Sequence, residues 1–173
     1  MMMAGPAETL SMVDPSSEVF EDRPELFVGR IENCAVVVWR TTPTVESAAL
    51  AAEHFGKFEV APGRGFALIA VVTPYCAPVS VEVRHAFDTA MRAHRDSVMG
   101  MAAVIEVNGV LGGLTRVMAR TMSIVARSPY PVNTYASVET ASTWLVHVLT
   151  QRGAQQLDAN DITAFVEKHR RAS

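Results

Sequence analysis

Between Val71 and Phe87 the chain reads VVTPYCAPVSVEVRHAF, and four residues there carry groups that can do chemistry. They are the thiol of Cys76, the hydroxyl of Ser80, the guanidinium of Arg84 and the imidazole of His85. A thiol nucleophile needs its pKa lowered to form thiolate at neutral pH, and a helix start or an imidazolium can lower it. His85 would lie about a turn and a half into the following helix, and no third group to orient it is identifiable, so a loop thiol and a helix-face histidine are expected. Ser80 has the residue type and position of an N-cap, with Glu82 near the positive end of the helix. A phosphate on Ser80 would sit in that same field.

A second candidate stretch is NGVLGGLTR, residues 108 to 116, which follows a strand pattern and enters a helical one. Gly109, Gly112 and Gly113 resemble a phosphate-cradling loop in outline, with Arg116 to help an anion. The order G-x-G-x-x-G and the Lys-Ser/Thr pair of a P-loop are both missing, so a tight strand-to-helix turn is expected first. Arg116, Arg120 and Arg127 share a helix face by spacing and could meet an acidic partner. On the preceding helix Asp88, Arg92 and Asp96 form i,i+4 pairs around Arg84 and Arg95, as a solvated face does. The five histidines contain no i,i+4 pair and neither cysteine belongs to a C-x-x-C element, so no metal and no cofactor is expected.

These residues need elements to hold them. Residues 1 to 24, acidic and interrupted by Pro6, Pro15 and Pro24, read as a flexible tail. LFVGRIEN and CAVVVWR read as a hairpin turning at Glu32-Asn33. Val45, Ala48, Ala52 and Phe55 have helical spacing, and FALIAVV (66 to 72) is a strand buried on both faces. A helix begins at Ser80, AAVIEV (102 to 107) is a strand, and a helix is expected over 111 to 127. VNTYAS (132 to 137) is the last strand, Ser137 caps a helix with Ala141, Trp144, Leu145 and Val148 inward, and a terminal helix starts near Asp161. Trp39, Phe55, Phe58 and Phe66 are assigned to the core.

Strands alternating with helices predict an α/β fold, with an opening β-hairpin and then β-α units in a mixed, mostly parallel sheet of four to five strands. The tail is placed at 1 to 24, a single domain at 25 to 153 and a C-terminal helix at 154 to 173.

Composition narrows the function. With 49% apolar and 19% charged residues, the chain suits a packed globular protein. Its formal charge of −3 is concentrated early, because residues 1 to 32 hold seven acidic residues and two basic ones. What remains is far from a basic nucleic-acid surface. No apolar run reaches membrane-spanning length and no secretory signal is recognisable, so a cytoplasmic protein with reduced Cys34 and Cys76 is expected.

An opening hairpin followed by short strand-helix units, closing on ASVETASTWL, resembles the STAS domain, the fold of SpoIIAA-type anti-sigma-factor antagonists, over about residues 25 to 153. That resemblance implies protein binding, and in partner-switching members a phosphorylated Ser within a pattern resembling Asp-Ser-Ser-Gly. Here Ala77-Pro78-Val79-Ser80 occupies that place, so Ser80 alone carries over. The expectation is a noncatalytic signalling or scaffold module that binds another, acidic protein through the loop with Cys76 and Ser80 and through Arg84, Arg116 and Arg120. The alternatives are a small-molecule or anion binder, or modest enzyme, at strand ends 73 to 76 and 108 to 113, and a self-associating structural protein such as a homodimer.

Overall fold

In the computed structural model residues 15–61, 63–106, 128–154 and 157–171 are described. The expected hairpin is present as β2 (Leu26–Ile31) and β3 (Cys34–Trp39), antiparallel and paired from Leu26↔Trp39 to Ile31↔Cys34. Its two-residue turn puts Glu32 at φ 49°, a left-handed conformation that costs a residue with a Cβ. Two bonds offset that cost: the Glu32 amide donates to the Ser16 carbonyl at 2.7 Å, and the Ser16 amide donates to Glu32 Oε1 at 2.6 Å.

Ser16 leads into a strand that the sequence reading assigned to the tail. β1 (Ser17–Asp22) pairs antiparallel with β2, with a bulge between Val19 and Glu21. Pro15 and Pro24 bracket this strand instead of breaking a helix. Its acidic residues, which read as tail, are the charges of a protected sheet edge: Glu18 pairs with Arg30 at 2.9 Å, and Glu21 with Arg23 at 3.0 Å. Phe20 turns inward and stacks on His54 at 5.7 Å.

The chain continues through α1 (Val45–Glu53), a 3₁₀ turn (Phe55–Lys57), β4 (Phe66–Val72), α2 (Val81–Ala93), β5 (Val98–Ile105), β6 (Val132–Tyr135), α3 (Val138–Gln151) and α4 (Ala159–His169). The strands lie in one sheet in chain order, β1 to β6, with β3 to β6 parallel. The fold is α/β as expected, with six strands instead of four or five. The helix expected over 111 to 127 lies outside the described residues.

Alternation along the strands separates two apolar layers. Cys34, Val36 and Val38 of β3 and Ala67, Ile69 and Val71 of β4 face α3 and α4. Ala35, Val37, Trp39, Phe66 and Leu68 face the other way, with Phe55 and Phe58, toward α1 and α2. The four aromatic residues assigned to the core are all buried. Gly100 of β5 lets α3 approach, because a Cβ there would stand 2.9 Å from the Val148 side chain. The C-terminal helix is no appendage: Ile162, Phe165 and Val166 complete the layer built on β2 to β5.

Candidate functional site

Because β3, β4, β5 and β6 are parallel, their carboxyl ends at Trp39, Val72, Ile105 and Tyr135 lie at one edge of the sheet, where ligands of open α/β sheets bind. Thr44 caps α1 through a reciprocal bond with Ser47, and Ser80 caps α2 by accepting the Val83 N–H at 3.3 Å. Both helices therefore begin at this edge. The Ala77 amide donates to Thr42 Oγ1 at 2.7 Å and ties the two preceding loops together.

Cys76 anchors the loop from Thr73 to Ser80 from below. The residue is 7% exposed, and its thiol donates to the Trp39 carbonyl at 3.3 Å and lies 3.7 Å from Thr73 Oγ1. Burial pushes this thiol up, with the Thr73 bonds opposing it. A buried thiol whose pKa is raised has the opposite of a nucleophile's electrostatics. His85 is exposed on α2. Beside Cys76 the chain turns outward, and Tyr75 stands 83% exposed. Val81 (65%) and Val45 (49%), the first residues of α2 and α1, flank the same edge. Three large apolar side chains are thus displayed where the backbone is pinned.

Ser80 is exposed, as a helix cap should be. The Glu82 carboxyl is held below its usual range, first by a bond from its own backbone amide and then by the Ser80 side chain. The field that would welcome a phosphate already holds a carboxylate. Arg84 is half-buried, and its Nε has no hydrogen-bond partner. Gly109, Gly112, Gly113, Arg116 and Arg120 lie outside the described residues.

Toward β1 the same edge opens into a cavity of about 340 Å³ lined by Arg40, Thr73, Tyr75, Glu106, Arg170 and Arg171 among others. None of these arginines was singled out from the sequence. Arg40 is buried: its Nη1 bonds Asp22 at 2.7 Å and the Arg23 carbonyl, and its Nη2 bonds the carbonyls of His169 at 2.6 Å and Arg171 at 3.0 Å. It clamps the β1–β2 turn to the carbonyl end of α4, where a cation is favoured. Arg170 grips Glu167 with two bonds, at 2.9 and 2.6 Å, and also pairs with Glu106. Those carboxylates, Glu167 first, raise the Arg170 pKa, while Arg170 holds Glu167 below its usual range. Arg171 alone of the three is exposed, and its side chain makes no ion pair among the described residues.

Among the described residues no three His, Cys, Asp or Glu side chains gather to hold a metal ion, and no helix is long and apolar enough to cross a membrane. Compared with protein-family models, with curated proteins and with solved structures, the chain matches none.

Proposed function

We propose that this protein is a noncatalytic cytoplasmic binding module that presents the Thr73–Ser80 edge to another protein, as a signalling or scaffold component of STAS-like design. One observation carries the reading: Tyr75 on its loop and Val81 and Val45 at the starts of α2 and α1 are exposed at the same edge, which is fixed by Cys76, by the Thr42–Ala77 bond and by two helix caps. An aromatic residue on a pinned backbone beside aliphatic ones has the composition of an interface hot spot, because the ordering of the loop is met before the partner arrives. Glu46 and Glu82, in the first helical turns, rim the patch with acid, so it fits an apolar surface with basic surroundings. An acidic partner would instead engage Arg116 and Arg120.

Substitution tests this directly. Tyr75→Ala with Val81→Asp should leave the thermal midpoint nearly unchanged, within about 0.5 kcal/mol per exposed site. It should weaken a stoichiometric partner recovered with the tagged wild-type protein by about 2 kcal/mol or more. A partner held equally well by the double variant would sink the proposal.

The strand-end cavity favours a second reading, an anion or small-molecule site using Tyr75 and Arg171. It ranks lower because the guanidiniums of Arg40 and Arg170 are already engaged by protein carbonyls and carboxylates. A saturable thermal shift with phosphorylated metabolites, lost in Arg171→Ala, would reverse that ranking.

A further inference from the structure

Away from that edge, a groove of about 600 Å³ runs between α3 and β6, lined by Tyr135, Glu139, Thr140, Thr143, Trp144 and His147. We propose that it binds a small organic cation, of the quaternary ammonium or alkylated amine class, against the Tyr135 and Trp144 rings with Glu139 as counter-charge.

Three observations converge on that chemistry. The rings are half-buried, 5.9 Å apart between centroids and tilted by 46°, so one side of each packs on the core while the pair lines the groove. The tyrosine is oriented in advance, since Asn133 Nδ2 donates to its hydroxyl at 3.0 Å and Asn133 Oδ1 accepts the Thr134 amide at 2.9 Å. A cation over such ring faces is attracted by their quadrupoles, and Trp is the strongest partner.

The polar lining selects for charge. Glu139, Thr143 and His147 follow one another at i,i+4 on a single face of α3. The Thr143 hydroxyl donates to the Glu139 carbonyl at 3.0 Å, and the Thr140 hydroxyl is engaged with Ser137 Oγ at 2.9 Å. Those hydroxyls are occupied within the helix. Glu139 brings the formal charge of the groove, and its side chain has no basic partner among the described residues. Glu139 stands in the first turn of α3 with no basic side chain on it among the described residues, and aromatic faces beside such a carboxylate attract a cation that has apolar substituents, which a hydrated inorganic ion lacks.

The two tryptophans make a direct test. Trp39 is buried under α2, so the indole N–H signal of Trp144, identified by its loss in Trp144→Phe, reports on the groove while that of Trp39 reports on the fold. The full-length protein is titrated with choline chloride, with sodium chloride at equal ionic strength, and with 3,3-dimethylbutan-1-ol, the uncharged isostere of choline. The expected result is a saturable shift of the Trp144 signal with choline, about tenfold tighter than with the alcohol. Glu139→Gln should remove most of that difference while the Trp39 signal stays in place. Equal binding of choline and the alcohol, a shift that fails to saturate, or unchanged choline affinity in Glu139→Gln would overturn the assignment.

Discussion

Cys76 sits in the loop where an α/β protein keeps working residues, and its residue type invites a nucleophile. Its environment does not: the side chain points under the loop to the Trp39 carbonyl, and burial raises its pKa. Cys34, in the centre of the sheet, is pushed up to about 12 by burial alone. Both thiols should therefore resist alkylation in the native protein at pH 8 and react only on unfolding, as timed labelling with mass spectrometry can establish. The sign for stability follows from the raised values. The neutral thiols favour the native state below the ordinary cysteine pKa near 9, and that contribution is lost as pH rises from there toward 12. Stability measured by denaturant should fall over that window in the wild type and less in Cys34→Ala. At this scale the sequence was informative about Ser80, whose capping role needs only residue type and position. It was silent about Tyr75, since nothing in TPYCAP says which of two neighbouring side chains turns in and which turns out.

Elements were legible wherever a strong period existed. The buried strands β3 and β4 and the amphipathic helices α2 and α3 carry apolar patterns that nothing else explains. β1 escaped because an edge strand is half solvated and acidic, and its partner strand supplies the order that its composition lacks. How the end of α4 is held was hidden as well, because it is gripped by Arg40, a residue 129 positions from the His169 carbonyl it bonds. Arg40→Met removes a buried fork that satisfies carbonyls on two elements, and should cost about 3 kcal/mol. Arg40→Lys should recover little of this, since an ammonium cannot span both sets of acceptors. His169 stacks on Phe27 at 4.2 Å in the same contact, and its pKa is lowered, first by burial and then by Lys168. The neutral ring is favoured in the folded state, so its contribution is full above the ordinary histidine pKa of 6.5 and is lost as pH falls through the lower folded value. Chemical denaturation across pH 7 to 5 should show a decline that His169→Phe reduces.

At the scale of the molecule, strands in chain order with parallel neighbours bring every strand-to-helix loop of β3 and β4 to one edge, together with the end of α4. That convergence follows from connectivity and could be anticipated; what the edge displays could not, because exposure depends on tertiary packing. Val60 is a useful contrast. It is 53% exposed and apolar, but it precedes β4 and so lies at the opposite end of that strand from Tyr75. A benzophenone photo-crosslinker placed at position 75, and in a separate protein at position 60, therefore samples two exposed apolar sites at opposite ends of β4. After irradiation in native cell extract, the account predicts one stoichiometric adduct from position 75, displaced by excess unlabelled wild-type protein, and none from position 60. No adduct at position 75, or the same adducts from both positions, would contradict the assignment of this edge as the binding surface.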